Sequence, residues 1–290
     1  MDISIKGTLD REKINEILKY IKDQKIISTL DLSRVNFVKP YGMVLLLQIV
    51  NNLQEIERII FPDYSTLTYM ARAGFFNQAK EIMNLDRKII ELNNNIKVSE
   101  DNKTLIAINK IQNREDIVST LYVVNEQTRN ILINSLGYKH KDVEDFLVLL
   151  SELLDNINRH SGSTGFVSAQ SYRYRGSNLK YISVCVSDTG IGIKKSFINN
   201  GYQSKLSHKE AIELAVIKEF SSKSINGQRG GNGYKGIKEK VEKLSGGFLV
   251  RTGDCQLNVL NKVYEYTTNM PFFLGTQIEI TLPEKSLTYI

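Results

Sequence analysis

Apolar and polar positions in the first third of the chain follow two different periods, which predict strands and helices in turn. Short apolar or alternating runs predict strands at residues 3–6, 26–32 and 59–61, and a period of three to four residues predicts helices at 11–22, 43–53 and 65–73. Pro40-Tyr41-Gly42 predicts a turn before the second helix, and Gly74 is expected to end the third. Strands that alternate with helices favour a small α/β unit over residues 1–86, with helices on one face of its sheet.

A polar stretch over residues 87–103 is predicted to connect this unit to a second α/β unit over residues 104–285. In the second unit the same patterns predict strands at 104–111, 164–174, 179–187, 248–252, 256–260 and 276–282, and helices at 116–136, from 141 onward, 208–220 and 234–244. Residues 194–232 are basic and, apart from the helix at 208–220, irregular. A long irregular segment inside a compact domain is usually functional, so we expect a mobile lid here.

The helix that begins at Lys141 carries three polar residues at every fourth position, namely Glu152, Asn156 and His160. That spacing places all three on one face of a helix. An apolar stripe runs beside that face, formed by Phe146, Leu149, Leu150, Leu153 and Ile157. The pattern therefore predicts a helix that packs on a sheet by one side and presents a carboxylate, an amide and an imidazole along its flank.

Asp188 stands where the apolar strand at 179–187 ends, and Gly190 and Gly192 follow it. Glycines at these positions allow a tight turn and a close approach of the backbone to a ligand. Taken alone, Asp188 is also typical of a residue that caps a turn. Likewise, Asn156 could be a solvated helix residue and Glu152 a surface carboxylate.

A second glycine cluster, at residues 226–233, precedes the helix that is predicted to begin near Tyr234. The free N–H groups and the dipole of a helix N-terminus favour an anion such as phosphate, and Lys223, Arg229 and Lys235 would add positive charge. Residues 231–236 also spell G-x-G-x-x-G, but the buried strand that a dinucleotide site requires is missing before them. The cluster is therefore interpreted as a phosphate-binding segment.

Composition and charge limit the classes of protein to which the chain can belong. The 290 residues are 41% hydrophobic and 24% charged, with a net charge of +6, which is an ordinary globular balance. The sequence shows no nucleic-acid-binding motif, no apolar run long enough to span a bilayer and no signal peptide. Two cysteines indicate neither a disulfide framework nor a metal site. We therefore expect a cytoplasmic protein without nucleic-acid or membrane partners.

Five motifs together resemble the GHKL superfamily of ATP-binding domains over about residues 100–285. They are residues 152–156 with His160, residues 188–192, residues 229–234, Ser245-Gly246-Gly247 and residues 274–283. This resemblance implies a Bergerat-type α/β sandwich, in which helices cover one face of a mixed sheet. The order and spacing of the motifs carry the resemblance, since each motif alone is unspecific.

The resemblance also implies a role for each matching residue, with ATP and Mg²⁺ as cofactors. Asn156 would hold Mg²⁺ against the ATP phosphates, and Glu152 would act as general base. Asp188 would accept a hydrogen bond from the adenine amino group, with Thr276 nearby. The other expected nucleotide-binding residues are His160, the pocket glycines Gly190 and Gly192, and the lid residues Ser222, Lys223, Gly231, Gly233 and Tyr234.

In the first unit, residues 30–53 resemble a STAS domain, the fold of anti-sigma-factor antagonists. Members of that family carry a phosphorylatable serine at the turn, where this chain has Pro40 and Tyr41. We therefore expect an interaction or dimerisation module that is not itself a serine phosphoacceptor.

The function implied by both resemblances is regulatory: Mg-ATP binding, with slow hydrolysis or phosphoryl transfer, controls a protein partner. A serine/threonine kinase of the anti-sigma type is one version, and an ATPase that forms a homodimer through the lid is another. Self-phosphorylation on histidine is not expected: of the three histidines, His160 belongs to the motif at 152–160, His208 lies in the expected lid and His140 lacks the usual flanking motif. The alternative is a nucleotide-gated interaction or scaffold protein in which Glu152 performs no chemistry.

Overall fold

The computed structural model describes residues 1–22, 27–53, 56–96, 104–157, 163–174, 176–202, 204–218 and 233–285. The strands are β1 Asp2–Leu9, β2 Ile27–Val38, β3 Ile56–Ile60, β4 Leu105–Ile111, β5 Gly165–Arg173, β6 Lys180–Asp188, β7 Gly247–Gly253, β8 Cys255–Leu260, β9 Val263–Thr267 and β10 Phe273–Pro283. The helices are α1 Arg11–Lys22, α2 Pro40–Leu53, α3 Tyr64–Arg72, α4 Phe75–Ala79, α5 Arg87–Asn95, α6 Arg114–Asn130, α7 His140–Asn156, α8 Gly192–Asn199, α9 His208–Ile212 and α10 Gly233–Lys243. Wider π-type turns extend α6 at Ile131–Ser135 and α9 at Glu213–Ile217.

The N-terminal unit is built on a three-stranded sheet in the order β1-β2-β3, and both strand pairs are parallel. Parallel neighbours need a crossover, and α1 and α2 supply the two crossovers. Because such crossovers are right-handed, both helices lie on the same face of the sheet, where they contact each other. This agrees with the expectation of helices on one face.

Helix α2 is apolar on all sides, and all of residues 40–49 are buried. A helix without a polar face must be covered all round. Its own sheet and α1 cover one side, and strands β5 and β6 of the C-terminal unit cover the other. The helix is therefore a layer shared by the two units.

The expected turn at residues 40–42 is wrong, because these residues form the first turn of α2. Proline suits that position, since its missing N–H would have no partner in a first turn and its φ is already helical. Gly42 is needed for a different reason: a Cβ there would lie 2.2 Å from the carbonyl oxygen of Leu9. The close approach to β1 is a tertiary contact that the local sequence pattern does not reveal.

The C-terminal unit contains a seven-stranded sheet in the order β4-β5-β6-β10-β7-β8-β9. Each of these pairs is antiparallel, so among the described strands the parallel pairing expected of a mixed sheet occurs in the N-terminal unit. On β6, Ile182, Val184 and Val186 join the core formed with helices α6, α7 and α10, whereas Cys185 joins the core of the N-terminal unit. The α/β sandwich is confirmed, with its own helices on one face and the N-terminal unit on the other.

Three segments differ from the sequence expectation. Within the predicted connector, residues 87–95 form α5, which Asp86 caps through Lys88 N and which buries Ile89. Helix α8 lies in the stretch expected to be irregular, because Ile193 and Phe197 place two apolar side chains on one face, where both are buried. Strand β9 was not expected either.

The domain boundaries themselves remain a prediction, and most of the expected lid lies outside the described residues.

One buried arginine ties the two units together. Arg251 of β7 is fully buried, its Nη1 donates to Asn15 Oδ1 of α1 over 2.5 Å, and its Nη2 donates to the Pro271 carbonyl oxygen over 2.6 Å. The guanidinium also lies 5.9 Å from the centre of the Phe273 ring. Burying a charge is costly unless its donors find acceptors. Because Nε of Arg251 has no partner within the described residues, the interface depends on the acceptors of the two Nη groups, one of which is Asn15.

None of the helices in the described ranges is both long and apolar enough to cross a membrane.

We expect Asn15→Ala to lower the free energy of unfolding by about 1–3 kcal/mol, because it leaves a buried guanidinium donor without its acceptor. Urea unfolding followed by circular dichroism measures the change. Asn199→Ala is the matched control, since Asn199 is also helical but exposed. Equal midpoints for the two variants would contradict this role of Asn15.

Candidate functional site

Asp188 and Thr276 meet at one end of the seven-stranded sheet. Asp188 is the last residue of β6, and in the strand register it lies opposite Gly165 of β5 and Thr276 of β10. Both residues continue the alternate positions whose side chains face the helices, as Val186 and Ile278 do. The structure therefore brings the two residues that the sequence analysis assigns to one pocket onto the same face of adjacent strands.

The Asp188 carboxyl group is held by backbone donors. Its Oδ1 accepts a hydrogen bond from Gly190 N over 2.8 Å, and the carboxyl also accepts one from the Thr276 backbone. Burial raises the pKa of this carboxyl to about 6, and the two hydrogen bonds partly offset that rise. The carboxyl therefore loses its proton close to neutral pH.

Two glycines form the walls beside Asp188. Gly192 has φ +71, and a Cβ there would lie 2.7 Å from Thr252 Oγ1 and 3.0 Å from the Gly275 carbonyl oxygen. Gly275 has φ +73, and a Cβ there would lie 2.1 Å from the Asp188 carbonyl oxygen. Only glycine combines this backbone conformation with such close contacts. The loop after β6 and the start of β10 are therefore packed directly against each other.

Two residues that the sequence analysis does not single out hold this packing in place. Thr252 Oγ1 donates to the Gly275 carbonyl oxygen over 2.9 Å and accepts from Ile193 N over 3.3 Å. Gln277 Nε2 donates to the carbonyl oxygens of Asp188, over 3.1 Å, and Leu274, over 2.6 Å. Both are polar residues within apolar strands, a weak signal that becomes informative only when the strand order is known.

Helix α7 presents Glu152 and Asn156 on its flank, as expected, and both side chains are partly buried. The helix packs against α10, where a Cβ on Gly236 would lie 3.5 Å from Glu152 Oε2. This oxygen is buried, and within the described part of the chain it has no hydrogen-bond partner. An unpaired buried carboxylate oxygen is costly, so the position favours a ligand or cation beside it.

Tyr234 lies in the first turn of α10. Its side chain is partly buried and packs on the core of the C-terminal unit. Burial, together with the charge of Asp188, raises the pKa of the Tyr234 phenol. The sequence analysis assigns only the backbone of Tyr234 to the site, so the position of its side chain is new.

The other expected site residues are distributed differently. Gly190 supplies a backbone donor to Asp188, and Gly233 is the first residue of α10. The remaining four lie outside the described residues: His160, Ser222, Lys223 and Gly231. The structure thus brings Asp188 and Thr276 together and places Glu152 and Asn156 on α7, which packs against α10.

The N-terminal unit touches the residues on both sides of Asp188. Ser187 Oγ donates to Gln48 Oε1 of α2 over 2.6 Å, and Thr189 Oγ1 donates to Asn52 Oδ1 over 3.4 Å. These contacts lie on the sheet face opposite the helices α7 and α10. Helix α2 therefore contacts the strand end that carries Asp188 from the opposite face of the sheet.

Residues 141–286 match the family model described as the histidine kinase-, DNA gyrase B-, and HSP90-like ATPase. The matched segment contains all of the site residues described above. Comparisons with curated proteins and with solved structures gave no match. Since the family model covers half of the chain and the motifs converge on one site, this chain belongs to the histidine kinase-, DNA gyrase B- and HSP90-like ATPases.

Proposed function

We propose that the C-terminal unit binds Mg-ATP between the Asp188 end of the sheet and the helix pair α7–α10, and that this binding controls a protein partner. The observation that carries the proposal is the placement of two carboxyl groups in different surroundings along one site. A carboxyl acceptor stands at a glycine-walled strand end, and an unpaired carboxylate oxygen lies beside the first turn of α10.

The Asp188 end fits a purine. An ionised carboxylate accepts the hydrogen bond of an exocyclic amino group, which adenine has and guanine lacks at the equivalent position. The close backbone contacts at Gly192 and Gly275 hold the loop after β6 against the start of β10 and so fix the strand end that carries Asp188. Thr276, on the neighbouring strand, supplies a hydroxyl that can donate or accept.

The α7–α10 end fits phosphates with a divalent cation. Mg²⁺ prefers oxygen ligands and usually combines one or two protein groups with phosphate oxygens and waters. Asn156 would supply an amide oxygen, and the N-terminal N–H groups of α10 would face the phosphates. His160, Ser222, Lys223 and Gly231 belong to the same proposal on the sequence motifs alone.

For the reaction, Glu152 is the proposed general base, which would take a proton from a water or from the hydroxyl of a serine or threonine. Bound ATP supplies the phosphoryl group. The alternative is a nucleotide-gated interaction protein without chemistry. It is favoured by the direct contacts of α2 with Ser187 and Thr189, because these give the N-terminal unit a physical link to the site that needs no turnover.

The N-terminal unit is proposed to be a STAS-like interaction module that binds the partner or a second copy. Helices α1 and α2 cover one face of its sheet, and β2 exposes the side chains of Ser33, Arg34 and Phe37. Nucleotide binding at Asp188 would then act on this unit through α2.

We expect the wild type to bind Mg-ATP in calorimetric titration and Asp188→Asn to bind at least about tenfold more weakly, because the variant offers the adenine amino group a weaker, uncharged acceptor. Asp2→Asn removes the same charge at an exposed position and is the control. Mg-GTP should bind the wild type more weakly than Mg-ATP. Equal affinity of Asp188→Asn and the wild type for Mg-ATP would contradict the proposal that Asp188 binds the adenine amino group.

The affinity for ATP should depend on pH through Asp188. Its pKa of about 6 lies above the ordinary value of 3.8, so the accepting carboxylate is lost as the pH falls through 6. The affinity is expected to be level above pH 7 and to fall by about tenfold per pH unit well below 6. Phosphate groups also titrate near pH 6. The same titration with Asp188→Asn therefore provides the baseline, and parallel pH profiles for the two proteins would rule out this linkage.

Glu152→Gln should retain Mg-ATP binding and lower ATP turnover by about a hundredfold or more, because the amide cannot accept the proton. Phosphate release, with and without candidate protein substrates, measures the turnover. Glu144→Gln, on the exposed side of the same helix, is the control. Unchanged turnover in Glu152→Gln would contradict the assignment of Glu152 as general base, whereas absence of turnover in the wild type would support the non-catalytic alternative.

A further inference from the structure

Three carboxamide side chains hold the end of β6, each through a different one of three consecutive residues. Gln48 Oε1 and Asn52 Oδ1, one helical turn apart on α2, accept from the hydroxyl groups of the residues before and after Asp188, over 2.6 and 3.4 Å. Gln277 Nε2 of β10 donates to the Asp188 carbonyl oxygen over 3.1 Å. The backbone that carries the Asp188 carboxyl is therefore held by both units of the chain.

These carboxamides lie on the sheet face that is opposite the proposed nucleotide site. Gln277 is the register partner of Ser187, and residues directly opposite each other on neighbouring strands share a face. Ser187 contacts α2, whereas Asp188, the next residue along the strand, points to the other face. Gln48 and Gln277 are both fully buried. They can act on a bound nucleotide only by positioning Asp188.

Gln277 also holds an irregular part of β10 beside Asp188. The register between β10 and β7 shifts between Phe273 and Thr276, so β10 contains two residues there without a partner on β7. The same Nε2 group of Gln277 donates to the carbonyl oxygen of Leu274, one of these two residues, over 2.6 Å. Bulges of this kind re-aim a strand and its side chains. One amide group thus ties the bulge to the backbone of Asp188.

The amide groups of Gln48 and Gln277 complement each other. Nε2 of Gln48 and Oε1 of Gln277 are buried, and neither has a hydrogen-bond partner within the described ranges. One atom is a donor and the other an acceptor, and both amides lie at the last two residues of β6. Such a pair is satisfied directly or through one bridging water, and leaving either group unpaired is costly. The two side chains therefore favour a single linked arrangement.

We propose that Gln48 and Gln277 are positioning residues that together set the place of the Asp188 carboxyl, so that the N-terminal unit controls the preference of the site for adenine. This inference rests on the proposed function and names the residues through which the N-terminal unit acts. A hydrogen bond weakens steeply when its distance and angle depart from their optimum. A small displacement of Asp188 therefore weakens recognition of the adenine amino group and leaves the phosphate contacts in place.

Calorimetric titration of Gln48→Met and Gln277→Met with Mg-ATP and with Mg-GTP tests the proposal. Methionine has nearly the same length as glutamine but forms none of these hydrogen bonds. Each variant should bind Mg-ATP about five- to tenfold more weakly than the wild type. Affinity for Mg-GTP should change by less than about twofold, because guanine offers Asp188 no amino group at the equivalent position.

Gln256→Met is the matched control. Gln256 of β8 lies on the same sheet face as Gln277 and two strands away from it, since both are register partners of Arg251. Its Nε2 donates to Thr267 Oγ1 of β9 over 3.5 Å, away from the end of β6. The same substitution at this position should leave the affinities for both nucleotides unchanged.

A second measurement follows the Asp188 carboxyl without any nucleotide. Gly190 N donates to Asp188 Oδ1 over 2.8 Å, so the exchange of this amide hydrogen reports on the position of the carboxyl. By mass spectrometry, peptides that cover residues 188–192 should exchange at least about threefold faster in Gln48→Met than in the wild type. Gln256→Met should match the wild type. Equal exchange in all three proteins would overturn the inference.

The titrations separate this inference from the proposed function. An equal loss of affinity for Mg-ATP and Mg-GTP would show that the carboxamides only stabilise the fold, and unchanged affinities would show that they do not position Asp188; either result overturns the inference. Gln48→Met alone decides between these results if Gln277→Met does not fold. Failure of the proposed function has a different signature, since the wild type would then lack saturable Mg-ATP binding and the inference would fall with it.

Discussion

The structure depends on the burial of helix α2 on all sides over residues 40–49. Because this part of the helix has no polar face, a single sheet cannot cover it, and it is stable only between two sheets. That requirement brings the three-stranded and the seven-stranded sheets together, with α2 between them. The C-terminal sheet is thereby covered on both faces, by its own helices on one side and by the N-terminal unit on the other.

A few polar contacts at this interface, within the described residues, determine how the two units are oriented. Gln48 is fully buried and its Oε1 accepts from Ser187, and the two Nη groups of the buried Arg251 donate to Asn15 and to a backbone carbonyl oxygen. Apolar packing alone would tolerate several orientations of one unit on the other. These directional hydrogen bonds select one orientation. Because Ser187 lies next to Asp188, the same contacts fix both the orientation of α2 and the position of the Asp188 end of the site.

The site combines a stiff end with a more adjustable one. Asp188, Gly275 and Thr276 lie on paired strands, where backbone hydrogen bonds and glycine contacts leave little room to move. Glu152 and Tyr234 lie on two helices that meet through Gly236, without a directional bond at that point. In the proposed site, recognition of a base would therefore belong to the sheet, and a response to binding would belong to the helix pair.

The sequence by itself determined the local features of this protein. The period of α7, which places Glu152 and Asn156 on one flank, the position of Asp188 at a strand end and the helix after the glycine cluster all follow from neighbouring residues. Only the tertiary structure decided which residues from distant parts of the chain these features contact. Strand β10 lies between β6 and β7, which puts Thr276 opposite Asp188 across a separation of 88 residues. The helical turn at Pro40, the burial of Arg251 and the direction of the Tyr234 side chain likewise depend on packing between distant segments, for which the local pattern of apolar and polar residues carries no signal.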